Sequence, residues 1–292
     1  MDRYRDRHGD QGGAEVGTVS GAGKTGRICE ESAADGCAGL DAAKTGMAMI
    51  HYHGTRIACS DDQAARILKG KHAFVSYADT SQLSIVEEVC QSYALDNGAY
   101  SFFNSGKPID WDGYYKFVED VYGPATDFAI IPDVIGGSEK EQKKLIDQWP
   151  FKETKIVGAP VWHSNESLPW LQILAEEYSI ICIGSGPGLR PDSAEWWMRI
   201  NQAFDVLTDK NGKPKVRIHL LKGLNPNIFT KLPISSADST MVGRHTDDKD
   251  TNWSGRYKPL TIFSRAMVLI DRIETFNSPK RWKRQPIQME LI

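Results

Sequence analysis

No apolar run in the sequence approaches the ~20 residues that a membrane-crossing helix requires. The opening Met1-Asp2-Arg3-Tyr4-Arg5 also lacks the apolar middle of a secretory signal. Both absences lead to the expectation of a cytoplasmic protein with no membrane partner. Cysteine is scarce: Cys29, Cys37, Cys59, Cys90 and Cys182 are scattered through 292 residues without a CxxC pair. An odd, dispersed set argues against a disulfide framework and against a cysteine-rich zinc site, and predicts free thiols. An excess of one charge is missing too. With a formal net charge of -3, phosphate contact must come from local clusters of Lys and Arg.

Large apolar side chains are almost absent from residues 1–46, which are rich in Gly, Ala and charge. A segment so composed buries too little surface to offset its ordering entropy, so it is expected to be a disordered leader. Met47 and Met49 stand at its end as candidate starts of the folded part. Its Gly21-Ala22-Gly23-Lys24-Thr25 is not a phosphate loop: the motif places its first glycine where Thr18 stands, and no strand precedes it.

From Met49 onward, apolar runs of strand character alternate with amphipathic stretches. The predicted strands are Ile50–His53, Ala73–Tyr77, Tyr93–Asp96, Phe128–Pro132, Val157–Trp162, Ile180–Gly184, Val216–Leu221 and Ile234–Ala237. The predicted helices are Asp61–Leu68, Ser84–Cys90, Trp111–Val121, Glu139–Gln148, Leu168–Tyr178, Ala194–Leu207, Asn227–Leu232 and Ser264–Phe276. Alternation over residues 47–292 fits a (β/α)8 barrel, a fold of ~250 residues. The competing open doubly wound sheet lacks its signal, because no Gly-rich dinucleotide fingerprint follows the first strand.

A barrel sharpens the functional reading, since active sites of that fold lie at the C-terminal ends of the strands. Asp96, Asp133, His163, Gly184-Ser185, Lys222-Gly223 and Asp238 all occupy such ends. Carboxylates that share a mouth repel, their proton affinities separate, and one can serve as an acid while another stays ionised. Glycosidic-bond chemistry uses that arrangement, with Asp238 and Asp96 as the reactive pair here. A single Asp at a strand end is more often a cap of the next turn; several in one ring are less easily explained so. Asp133 can accept from a base edge, His163 can meet a carbonyl oxygen, and Tyr100, Phe102 or Phe103 can stack on a ring.

The blocks Leu95-Asp96-Asn97-Gly98-Ala99-Tyr100, Ile131-Pro132-Asp133, Pro160-Val161-Trp162-His163, Gly184-Ser185-Gly186, His219-Leu220-Leu221-Lys222-Gly223-Leu224 and Ser236-Ala237-Asp238-Ser239-Thr240 together resemble the tRNA-guanine transglycosylase superfamily. The resemblance runs in order from about His51 to the Trp282 region and is closest to the DNA-modifying branch, the DpdA-like 7-deazaguanine transglycosylases. It implies a (β/α)8 barrel that exchanges guanine in DNA for a free 7-deazaguanine base, with no cofactor and a possible homodimer. By the same resemblance Asp238 is the nucleophile and Asp96 the general acid/base. Asn97, Gly98, Asp133, His163, Gly184, Ser185, Lys222 and Gly223 line the substrate site. His163 stands where the tRNA enzymes have glutamine, and Asn97 replaces a serine. The zinc subdomain of those enzymes needs cysteines near the C-terminus, and none follows Cys182. No metal is therefore expected, and the DNA branch fits better than tRNA, which stays as a second alternative. Arg244 and the tail cations Lys280, Arg281, Lys283 and Arg284 around Trp282 are the expected nucleic-acid contacts, unless the tail is merely a solvated end. The rival from another enzyme class is a metal-dependent hydrolase using His51, His53, His163, His219 and Asp238, since an HxH pair in a strand points both rings to one face.

Overall fold

A computed structural model of the chain describes residues 48–55, 57–245, 253 and 257–286. The expected leader, residues 1–46, lies outside the described residues, and so does the side chain of Arg244. Nine parallel strands form one sheet: β1 (Ile50–Gly54), β2 (His72–Ser76), β3 (Ser92–Asp96), β4 (Thr126–Ile130), β5 (Gly158–Ala159), β6 (Val161–His163), β7 (Ile180–Gly184), β8 (Arg217–Leu220) and β9 (Ser236–Ser239). Their order is β5-β4-β3-β2-β1-β9-β8-β7-β6. Only Pro160 separates β5 from β6, so the two ends of that order are one stave and the sheet closes on itself. The interruption has a simple cause, because proline has no N–H to give to the ladder. Its carbonyl still accepts from Cys182 N at 2.8 Å. The result is the expected (β/α)8 barrel.

The alternation of side chains builds two cores. Tyr52, Phe74, Ala94, Phe128, Ile130 and Cys182 fill the barrel interior. Val75, Leu95, Ile181, Ile183, Ile218 and Leu220 face outward into the layer between sheet and helices. Both faces of the sheet are thus covered, which is why β7 reads Ile-Ile-Cys-Ile-Gly and is buried throughout.

The helices are α1 (Asp61–Leu68), α2 (Leu83–Val89), α3 (Ala99–Ser105), α4 (Trp111–Val121), α5 (Glu139–Gln148), α6 (Leu168–Glu177), α7 (Ala194–Leu207), α8 (Pro226–Phe229), α9 (Met241–His245) and α10 (Ile262–Glu274). Six start on a side-chain oxygen that accepts from the first turn: Ser60, Asp110, Ser167, Ser193, Asn225 and Thr261. Ser138 does so before α5 and adds a capping box with Glu141.

Two differences from the predicted elements bear on the site. The short helices α3 and α9 were not foreseen; α3 is an aromatic-rich stretch of weak helix propensity that begins after Gly98 at φ 76° and ends at Gly106 at φ 66°. The last strand starts two residues later than Ile234, because Pro233 offers no N–H and the N–H of Ile234 goes to Ser278 Oγ at 2.9 Å. Asp238 therefore stands inside β9, fixed by strand geometry, and not in the loop beyond it.

Gly98 and Gly106 separate backbone strain from crowding. A Cβ on Gly98 would sit 3.0 Å from both Ala78 N and Phe102 Cε2, whereas one on Gly106 meets nothing within 4 Å. Gly106→Ala is expected to cost about 1 kcal/mol, the left-handed penalty alone, and Gly98→Ala about 2–3 kcal/mol. Denaturant unfolding of the two variants measures the difference, and equal losses would mean that the Ala78 contact is easily relieved.

Candidate active site

Side chains of one parity point into the barrel, and near the C-terminal ends of four strands these are polar. Ser76 ends β2, Asp96 ends β3, His163 ends β6, and Asp238 lies one residue before the end of β9. Ser76 is the register partner of Asp96. Asp238 is the partner of Tyr52 and Tyr52 of His72, four residues below Asp96 by hydrogen-bond register. Strands in this barrel are staggered by about one residue per step, so three steps from β9 to β3 bring Asp238 close to the height of Asp96.

The electrostatics agree with that placement. The Asp96 carboxyl is raised from 3.8 to about 7, chiefly by burial, with the charges of Asp238 and Asp133 adding to the effect. Hydrogen bonds from the Ser76 hydroxyl and the Gly98 N–H oppose the rise without cancelling it. Asp96 keeps some solvent contact at the mouth while protein atoms crowd its carboxyl. The same three carboxylates, with burial the larger cause, push the Cys182 thiol well above its ordinary value. Cys182 is thus a buried, protonated wall of the interior.

Asp238 is 5% exposed and its Oδ1 is held from two sides. The Lys222 N–H donates to it at 2.8 Å, and His219 Nε2 lies 3.3 Å away. Lys222 reaches this position in a left-handed turn, at φ 55°, a conformation that non-glycine residues adopt at some cost. His219 is wholly buried; its Nδ1 lies 2.9 Å from Ser236 Oγ and its ring stacks on Phe74 at 5.2 Å. Oδ2 of Asp238 has no hydrogen-bond partner among the described residues. The Lys222 ammonium lies over the Tyr100 ring at the rim, and Phe103 on the same helix is 62% exposed, whereas Phe102 packs on Tyr77.

Asp133 is organised by its neighbours. Asn97 Nδ2 donates to its Oδ1 at 2.7 Å, and His163 Nε2 lies 3.0 Å from its Oδ2. Asn97 also donates to Ile131 O and accepts from Ala99 N, so its side chain positions Asp133 and the start of α3. Burial alone would lower the His163 pKa, but hydrogen bonds and charges from Asp133 and Glu166 push it up to about 9. His163 is therefore a cation whose Nδ1 faces Glu166 at 3.3 Å and whose Nε2 faces Asp133. The expected contact from His163 to a carbonyl oxygen is replaced by this ion pair. Gly184 leaves room for the His163 ring, 3.2 Å from where a Cβ would be, rather than for a ligand. Gly223 likewise makes space for Leu220, and Ser185 is exposed at the rim.

The histidine ring imagined for a metal does not assemble. His51 and His53 share a face, but it is the outer one: His51 Nε2 meets Phe276 O at 3.0 Å and His53 Nε2 meets Glu274 at 2.9 Å. Burial alone would raise the Glu274 carboxyl, yet hydrogen bonds from His53 and Lys71 hold it at about 2. Among the described residues no group of three His, Cys, Asp or Glu side chains is arranged to hold a metal. Strand parity was legible in the HxH spacing; which parity faces inward was not.

The basic tail sits elsewhere too. Trp282 N donates to Gly212 O at 2.7 Å and Arg284 pairs with Asp205 at 2.7 Å, both at the end of the barrel where strands begin. Lys280, Arg281, Lys283 and Arg284, the expected nucleic-acid contacts, therefore lie at the end of the barrel opposite the mouth that carries Asp96 and Asp238. Residues that sequence reasoning passed over are Ser76, Glu166, Ser236 and the role of His219 as partner of Asp238. Ser76 and Ser236 were visible as polar residues in strands, but only the pairing register shows what they face.

No family model matches the chain, and no curated protein matches it. Among solved structures it is similar to a Coccidioides immitis protein described as a fructose-1,6-biphosphate aldolase, at 11% identity over 80% of this chain and 94% of that one, with a TM-score of 0.49. No residue role is transferred from that likeness.

A carboxyl whose folded value is raised loses stability as pH climbs from its unfolded value to its folded one. The folded protein is thus expected to weaken from about pH 4 to about 7 through Asp96. Asp96→Asn should remove this slope and raise stability at pH 8 by up to about 4 kcal/mol, the free energy matching that displacement. At pH 4 the variant and the parent should unfold alike by circular dichroism.

Proposed function

We propose that this chain is a transglycosylase that exchanges guanine in DNA for a free 7-deazaguanine base through a glycosyl-enzyme on Asp238. The observation that carries the reading is the pairing of two differently prepared carboxyls in one mouth. Asp238 has Oδ1 held by the Lys222 N–H and His219 while Oδ2 is open, and Asp96 is poised near neutrality.

In the first step Oδ2 of Asp238 attacks C1′ of a nucleotide flipped out of the duplex. The C1′–N9 bond breaks as the C1′–O bond forms, and protonated Asp96 gives its proton to the departing guanine. In the second step the Asp96 carboxylate takes the proton from N9 of the incoming 7-deazaguanine. That nitrogen then attacks C1′, the ester to Asp238 breaks, and both side chains return to their starting states. Two inversions keep the β configuration. A carboxyl with a value near 7 suits both halves, since it is an acid in one and a base in the other at the same pH.

Base reading falls to Asp133. A carboxylate has about four acceptor positions; Asn97 and His163 use one on each oxygen, leaving room for a ring N–H and an exocyclic amine. His163, itself held by Glu166, keeps Asp133 aimed. Tyr100 and Phe103 at the rim offer faces for the extruded base or its neighbours. The tRNA reading shares this chemistry, and the choice of DNA rests on the absent C-terminal cysteines.

Labelled 7-deazaguanine incubated with duplex DNA, and separately with tRNA, tests the assignment. The expected result is incorporation into DNA that Asp238→Asn abolishes and that falls as pH rises through about 7. His219→Phe, which keeps a ring but loses the N–H, should lower kcat about 100-fold with little change in KM, the size of a lost oriented donor. Full incorporation by Asp238→Asn would overturn the nucleophile assignment, and label in tRNA alone would overturn the polymer.

A further inference from the structure

At the opposite end of the barrel from the carboxylates lies a cavity of about 390 Å³. It is walled by the beginnings of β1, β8 and β9 and by the returning tail, through Ile50, Val216 and Ile234 on the apolar side and Lys213, Arg217, Lys280 and Arg281 on the charged side. Among the described residues no carboxylate lines it. Arg217 is held by Asp127 at 2.5 Å, and Asp127 also accepts from Tyr52 Oη at 2.8 Å, so this guanidinium is fixed and partly neutralised. Arg281 is oriented by a hydrogen bond to Asn211 O at 3.2 Å. Lys213 and Lys280 form no ion pair among the described residues; Asp209 stands near enough to Arg281 and Lys213 for their charges to lower its carboxyl, and the balance of the lining is still positive.

We propose that this cavity is a second binding site, separate from the mouth, for a small phosphate ester with a compact apolar or planar body. Three features select that class. The volume falls within the range of small-molecule pockets, ~300–1,000 Å³. Apolar strand residues form one wall, which favours a body over a bare ion. Four cations from three separate segments, the loop before β8, β8 itself and the tail, converge on one space and suit a dianion better than a single carboxylate. A polynucleotide is a poorer fit, because the cations face a cavity and are not spread along a groove that could follow a backbone.

Naphthyl phosphate is the probe, read by its own fluorescence against the whole chain. The expected result is binding with a dissociation constant below about 1 mM, while naphthol, which lacks the charge, and inorganic phosphate, which lacks the body, each bind at least ~10-fold more weakly. The surface pair Lys213→Glu with Lys280→Glu should weaken the probe at least ~10-fold with an unchanged melting curve, and Asp238→Asn should bind as the parent does. Failure of the probe to bind, indifference to the charge reversals, naphthol binding as well as its phosphate, or loss of binding in Asp238→Asn would each overturn the proposal. Displacement by a short single-stranded oligonucleotide at lower concentration than by phenyl phosphate would also overturn it, marking this face as a polymer contact instead.

Discussion

Repulsion among three carboxylates in one confined mouth is the constraint around which this structure is arranged. Each is handled differently. Asp96 takes up a proton near neutrality, Asp133 is paired with the cationic His163, and Asp238 receives a backbone N–H and an imidazole on one oxygen. The supports come from strands far apart in sequence, so the closed barrel is what makes the arrangement possible. The left-handed turn at Lys222 and the left-handed Gly98 both put a main-chain N–H onto a carboxyl. At Lys222 local strain is thereby converted into charge stabilisation, while glycine reaches the same kind of turn at position 98 without it.

Much of the fold could be read from the sequence because the barrel is periodic. Strands buried on both faces appear as short apolar runs, and most helices announce themselves with Ser, Thr or Asp at the start. The polar strand ends at Asp96, Asp133, His163 and Asp238 were visible for the same reason. What was not visible depended on pairing between distant strands. His219 looked like a metal ligand until its register beside Ser236 showed its ring against Asp238. His51 and His53 carried the right spacing and the wrong side. Asn97 and Gly184 read as substrate contacts, and only the fold shows that they also set Asp133 and His163 in place.

The two ends of the barrel have opposite electrostatic character. One gathers carboxylates around the barrel mouth, and the other gathers cations around an apolar hollow. They are separated by a packed interior in which Tyr52, Phe74 and Phe128 surround the His219 ring. The Tyr52 hydroxyl faces Asp127 and Arg217 on the cationic side, so that one aromatic layer forms the floor of both ends.

The break at Pro160 shapes the rim in a way the uninterrupted strands do not. Below it β5 is laced to β4, and above it β6 is laced only to β7. Beside Asp133 the wall is consequently fastened by a side-chain rivet, His163 to Asp133, where elsewhere main-chain ladders do the fastening. The hold at that point therefore depends on the charges of two side chains, as the laddered staves do not.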